Sequence, residues 1–98
     1  MIARVQQSKL PAEELVEQGI RDLELGIESP ESLLVSIGAP RLRRLGLEVS
    51  RAFDSPEHRL YELLRDEHGD AAHSRYNALV RRLVSYERAA GVARAGRA

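Results

Sequence analysis

Asp70-Ala-Ala-His-Ser-Arg-Tyr-Asn-Ala-Leu-Val-Arg-Arg-Leu-Val-Ser-Tyr-Glu87 is the stretch that decides the fold. Its apolar residues Ala72, Tyr76, Leu79, Val80 and Leu83 recur at i, i+4, i+7, i+8 and i+11, with Tyr86 or Glu87 next. That spacing returns to one side of an α-helix, where a strand would alternate every second residue. Asp70 stands where an N-cap belongs, and the pattern predicts a helix from Ala71 to about Ala90, the longest in the chain and its spine. Gly91 then reads as a stop, and the small, basic tail Val92–Ala98 as a flexible end.

Moving outward, Ser55-Pro56-Glu57 is a helix-start signal, followed by Leu60, Tyr61, Leu63 and Leu64 and closed by Gly69. Ser29-Pro30-Glu31-Ser32 repeats it, with Ser29 as N-cap and Pro30 in the first helical position. Leu33, Leu34, Val35 and Ile37 are apolar on nearly every side, which places this helix in the middle of the core. Gly38 reads as its end, and Pro40 as the opening of a second short helix, Arg41–Leu45, closed by Gly46. From Leu47 to Asp54 the apolar residues alternate with Glu48 and Ser50, consistent with a brief extended piece. Nearer the N-terminus, Ser8 is a candidate cap and Pro11 falls in the opening turn. Glu13 and Glu14 follow, where carboxylates favour the positive end of the helix dipole. Val16, Ile20, Leu23 and Ile27 form one stripe, and Gly26 marks the exit. Gly19 lies inside this helix at a cost of about 1 kcal/mol relative to alanine, which points to a neighbouring backbone approaching there. The expected architecture is all-α, a compact bundle of four to five helices with the last helix longest. Residues 1–10 are expected to be a flexible segment, 11–90 the helical domain and 91–98 a flexible tail.

Composition narrows the function. Ninety-eight residues make one domain. Leucine, isoleucine, valine and phenylalanine number 26, enough for a modest core. There is no cysteine, which excludes disulfides and Cys-based zinc sites. No apolar run has the length of a signal peptide or a membrane span, so a cytoplasmic location is expected.

Fifteen basic side chains balance fifteen acidic ones, but they are segregated. Residues 1–38 sum to −4, 39–52 to +3, 53–70 to −4 and 71–98 to +5. The plainer reading is that oppositely charged helices screen each other within the fold. The sharper reading is that each charged face addresses a partner, where separation of charge speeds association.

Catalytic patterns are missing. His58, His68 and His73 lack the i, i+3 or i, i+4 spacing of helical metal ligands. Glu57 and Asp70 complete no site with them, and no metal or other cofactor is expected. Ser74 beside His73 diverges from it by about 100° around a helix, the wrong geometry for a nucleophile and its base. No nucleophile elbow, phosphate loop or dinucleotide fingerprint is present, so the chain does not read as an enzyme. The glycine between two short helices, followed by Arg41, Arg43 and Arg44, invites a helix-turn-helix reading. A five-residue second helix is too short to read bases, and ordinary corner packing is favoured. The basic last helix, with Arg75, Arg81, Arg82 and Arg88, could track phosphates and keeps nucleic-acid binding as the alternative. A non-catalytic scaffold subunit is a further one.

Three stretches carry a family likeness: Glu28-Ser-Pro-Glu-Ser-Leu-Leu-Val-Ser-Ile37, Pro56-Glu-His-Arg-Leu-Tyr-Glu-Leu-Leu64 and Ala72-His-Ser-Arg-Tyr-Asn-Ala-Leu-Val-Arg-Arg-Leu-Val84. Together they resemble small helical antitoxins paired with nucleotidyltransferase toxins of the AbiE/MenT kind, over roughly residues 12–90. No diagnostic motif is among them, so no family residue is carried over. The resemblance implies a protein partner, neutralised by direct complex formation. The acidic first helix, with Glu13, Glu17, Glu24 and Glu28, would enter the basic groove of such a toxin. The basic elements would meet the carboxylates that hold its metal. Glu13, Glu17, Arg41, Arg43, Arg44, Arg82 and Tyr86 are the candidate partner-binding residues.

Overall fold

The computed structural model describes residues 10–96. Along the chain these form α1 (Glu13–Glu24), α2 (Pro30–Arg44), α3 (Pro56–His68), a single 3-10 turn (Gly69–Ala71) and α4 (Ala72–Gly96). No strand occurs among the described residues, and the architecture is all-α. The candidate cap Ser8 and residues 1–9 of the segment 1–10 expected to be flexible lie outside the described residues, whereas Leu10 packs against the core.

Paired backbone groups end α1 and α2 in the same way. Gly26 (φ 72°) and Gly46 (φ 99°) adopt left-handed conformations that a side chain would oppose. At the first, the Ile27 N–H donates to Asp22 O at 2.8 Å and the Gly26 N–H to Leu23 O at 3.1 Å. At the second, the Leu47 N–H donates to Leu42 O at 3.1 Å and the Gly46 N–H to Arg43 O at 3.0 Å. Both are Schellman closures, which satisfy carbonyls the helix end would otherwise leave open.

Ser29 caps α2 as its position predicts. Its hydroxyl accepts from the Ser32 N–H at 3.0 Å, and the Ser32 hydroxyl accepts from the Ser29 N–H at 2.8 Å. Each hydroxyl then donates onward, Ser29 to the Asp22 carboxylate at 2.7 Å and Ser32 to Ile27 O at 2.7 Å. The fully buried Ser32 is therefore satisfied.

α2 is the centre of the molecule. Leu33, Leu34, Val35 and Leu42 are all inaccessible to solvent, and α1, α3 and α4 each pack on this helix. At about 2 kcal/mol for each buried aliphatic side chain, α2 supplies much of the driving force for folding. The spine expected at the last helix thus lies at α2, because α4 keeps one side in water along its length. Two expected breaks are absent. α2 continues through Gly38 and Pro40 to Arg44, so the separate short helix Arg41–Leu45 does not exist. Pro40 has no N–H to donate, but burial of Ala39 and Leu42 beside it holds the helix together. α4 likewise continues through Gly91 to Gly96, so the boundary expected at residue 90 falls inside a helix. Alanines 89, 90, 93 and 95 favour its propagation.

Gly19 and Gly38 mark close helix crossings. A β-carbon at Gly19 would collide with the Glu31 carbonyl oxygen and Val35 Cγ2 of α2, as expected for an approaching backbone. At Gly38 it would lie 2.9 Å from Glu87 Oε2 and 3.1 Å from a Leu83 methyl of α4. Ile27 departs from its expected stripe: it follows the Gly26 exit and is 47% exposed. The segment 47–55, which includes the brief extended piece expected over 47–54, forms no paired strand, and no second strand is present among the described residues to pair with it. Side chains fasten it instead. Arg43 donates to Val49 O at 3.2 Å and Ser50 O at 2.8 Å, and the Phe53 N–H donates to the buried Ser36 hydroxyl at 3.1 Å.

Candidate partner-binding surface

The candidate residues fall in separate places. Glu13 stands in the first turn of α1 and accepts the Leu10 N–H at 2.8 Å. Glu17 lies one turn on, exposed. The charges of both act on Tyr86 of α4. Burial raises the Tyr86 hydroxyl pKa above its ordinary 10.0, and the Glu13 and Glu17 charges raise it further. Tyr86 itself is 5% exposed and packs within the core cluster. Glu24 is exposed, whereas Glu28 is bound to Arg59 of α3, whose Nε donates to it at 3.0 Å and whose Nη2 donates to its other oxygen. The same guanidinium lies 5.5 Å from the Phe53 ring centroid.

The three arginines near the end of α2 have different duties. Arg43 holds the following loop by its carbonyls, as above. Arg44 is exposed, and its carbonyl accepts from Arg94 Nη1 of α4. Arg41 lies 3.6 Å from Glu87 Oε1. Glu87 is a site that sequence reasoning left at the edge of the α4 stripe. Its side chain is only 9% exposed, and Oε2 is buried with no hydrogen-bond partner beneath Gly38. Burial raises its pKa above the ordinary 4.5, opposed by the Arg41 charge and hydrogen bond. The signal for it was Gly38, read as a stop where its meaning was a close helix contact.

Arg82 belongs to a different surface. Two open depressions adjoin on one flank of α4, and Ala78 and Arg82 line both. One reaches Pro30, Leu64 and Leu79, with Arg75 at its wall; the other reaches Pro11 and Ala12, with Arg81 and Ser85. Arg75, Arg81 and Arg82 are exposed and make no hydrogen bond or ion pair among the described residues. Of the two tyrosines of α4, Tyr86 is buried and Tyr76 is half-buried. Tyr76 meets Tyr61 edge-on with centroids 6.1 Å apart, and its pKa is raised by burial and then by Glu57.

Histidine pairs are local. His58 Nε2 lies 3.1 Å from Glu62, His68 Nε2 3.7 Å from Glu67, and His73 Nε2 3.3 Å from Asn77 Nδ2. Among the described residues no group of three or more His, Asp or Glu is placed to hold a metal ion. No helix of the described chain is long and apolar enough to cross a membrane. The glycine turn behind the helix-turn-helix reading is continuous helix. No protein-family model, no curated protein and no solved structure matches this chain.

Proposed function

We propose that this chain is a non-catalytic protein-binding module, and that its partner is a nucleotidyltransferase toxin that it neutralises as an antitoxin by direct complex formation. The observation that carries the protein-binding reading is the α4 flank. Three guanidinium groups that make no ion pair among the described residues stand around a largely apolar floor, with Glu67 the one carboxylate among the described lining residues. Folding does not use those charges, and a partner with complementary chemistry would. The toxin as partner rests on the resemblance of the three quoted stretches and on the segregated charge. Glu17 and Glu24 on α1 are the acidic side chains free to enter a basic groove, since Glu28 is held by Arg59.

A nucleic-acid role draws on the same arginines, but it lacks stacking platforms, because Tyr76 is paired with Tyr61 and Tyr86 is buried. Mixing the purified chain with the product of its adjacent gene should give a co-eluting complex on gel filtration, stable between low and moderate salt. Separate elution at all salt concentrations would refute the antitoxin reading. Binding of single-stranded RNA that collapses steeply over the same salt range would favour the nucleic-acid alternative.

A further inference from the structure

We propose that the α4 flank seats an acidic amphipathic helix of another protein, laid along Arg75, Ala78 and Arg82; this rests on the protein-binding reading and names its surface. The floor comes first. Ala78 is exposed at the point where the two depressions meet, and its single methyl lets another helix come close. Pro30 and Leu79, both half-buried, add apolar surface above the buried Leu64 on one side, and Pro11 and Ala12 on the other.

The walls set the charge. Arg75 and Arg82 are seven residues apart on α4, about 10 Å along its axis at 1.5 Å per residue. Carboxylates seven apart on a helix lying alongside α4 repeat that spacing. Each can accept two parallel N–H bonds from a guanidinium, a geometry that lysine could not supply. Arg81 extends the cationic rim. Among the described residues one carboxylate, Glu67, lines the flank against three guanidinium groups. Cationic side chains therefore outnumber the available acidic ones, and the charge complement fits an acidic occupant. From Arg75 to Ser85 the flank spans about 15 Å, or nearly three helical turns. That length suits one amphipathic helix presenting alanine or leucine to the floor and glutamate to the walls.

The probe is a synthetic, fluorescein-labelled helical peptide of about four turns, with glutamates seven apart flanking an alanine-leucine face, titrated with the full chain by anisotropy. Saturable binding is expected. Arg75→Glu/Arg82→Glu and, separately, Ala78→Trp should each weaken it at least about tenfold, with circular dichroism melts like the wild type. Arg88→Glu, exposed on α4 and lining neither depression, should change it less than about twofold. Absence of peptide binding overturns the proposal. So does equal loss with Arg88→Glu, which would mean general charge attraction, or wild-type affinity with Ala78→Trp. Competition by a single-stranded RNA through the same arginines would overturn it in favour of phosphate binding. Self-association abolished by Ala78→Trp would do so in favour of a second copy.

The adjacent gene product separates this inference from the reading beneath it. A complex that survives both sets of substitutions leaves the antitoxin reading standing and sinks the α4 seat. Loss of that complex in the wild type, with peptide binding intact, sinks the antitoxin reading alone.

Discussion

The corner between α1 and α2 and the outer flank of α4 use similar materials for opposite ends. At the corner, polar groups close on one another: Asp22, Ser29 and Ser32 exchange hydrogen bonds with each other and with the ends of both helices. Gly19 allows the two backbones to approach so closely that no side chain fits between them. On the flank, Arg75, Arg81 and Arg82 stand around open apolar surface with no partner among the described residues. A buried polar group left unpaired is costly, so the corner has to be complete within the chain. An exposed arginine costs the fold little when unpaired, so the flank is free to serve something outside it. The difference locates stability at the corner and is the ground for proposing recognition on α4.

Gly19→Ala should break the corner most severely. The new methyl meets the Glu31 carbonyl oxygen, which belongs to the backbone and cannot swing away. Overpacking of this kind costs about 1–3 kcal/mol, occasionally more, and the gain in helix propensity offsets only about 1. We expect a net loss of about 2 kcal/mol, read as a fall in Tm of roughly 8–16 °C. Gly38→Ala provides the contrast. There the neighbours are the tips of Glu87 and Leu83 side chains, which can move, so the change in stability should stay within about 1 kcal/mol of zero. Equal losses at the two glycines would mean that the α1–α2 crossing is no tighter than the α2–α4 crossing.

Ser32→Ala comes next, at about 1–2 kcal/mol. It removes the hydroxyl that accepts from the Ser29 N–H and donates to Ile27 O, in a position with no access to water. Denaturant unfolding should show the loss as a lower midpoint with an unchanged slope. A neutral outcome would mean that the capping network can be rebuilt without this serine.

Most of the corner was legible in the residue order, because its signals are local. Ser29-Pro30 starts α2, and Gly26 and Gly46 end helices through backbone geometry set within five residues. Gly19 was legible as a close approach because glycine in a helix interior has little other reason to be there. Gly38 and Gly91 carry the same letter without the left-handed turn, and only contacts distant in sequence decide that difference. Pro40 misled for the same reason, since burial of its neighbours outweighs its local preference. Arg43 and Glu87 were hidden because their partners, the 49–50 carbonyls and the Gly38 backbone, are adjacent only after folding. The α4 flank was half legible. Its arginines were counted, but the floor they surround also draws on Pro11 and Ala12 just before α1, on Pro30 of α2 and on Leu64 of α3.

Glu87 sharpens the comparison, as a buried group that the fold leaves incompletely paired. Burial holds its carboxyl pKa above 4.5, so the folded chain keeps that proton to a higher pH than the unfolded chain does. Its contribution to stability is therefore full below the ordinary carboxylate pKa and is lost as pH rises through the raised one. Glu87→Gln cannot ionise and should remove that loss. Its Tm should exceed the wild-type value at neutral pH, with the gap closing as pH falls toward about 4. Arg41→Ala should widen the wild-type decline, since the Arg41 charge favours the ionised form. A Glu87→Gln offset that is constant with pH would show that the carboxylate is hydrated in solution.

The smallest expected effect on stability separates two arginines that lie on different surfaces, Arg59 against Glu28 and Phe53 and Arg82 on the α4 flank. Arg59 binds both oxygens of Glu28 and lies over Phe53, so Arg59→Ala should cost about 1 kcal/mol. Arg82 touches no described partner, so Arg82→Ala should leave Tm within the roughly ±0.5 kcal/mol typical of surface substitutions. Parallel melts of the two variants test whether the fold has a use for both. If Arg82→Ala destabilises as much as Arg59→Ala, the α4 guanidinium is serving the fold, and the charge on that flank is not held in reserve. If only Arg59→Ala falls, any loss of binding by Arg82→Ala must arise at the contact itself, because the scaffold that presents it is unchanged.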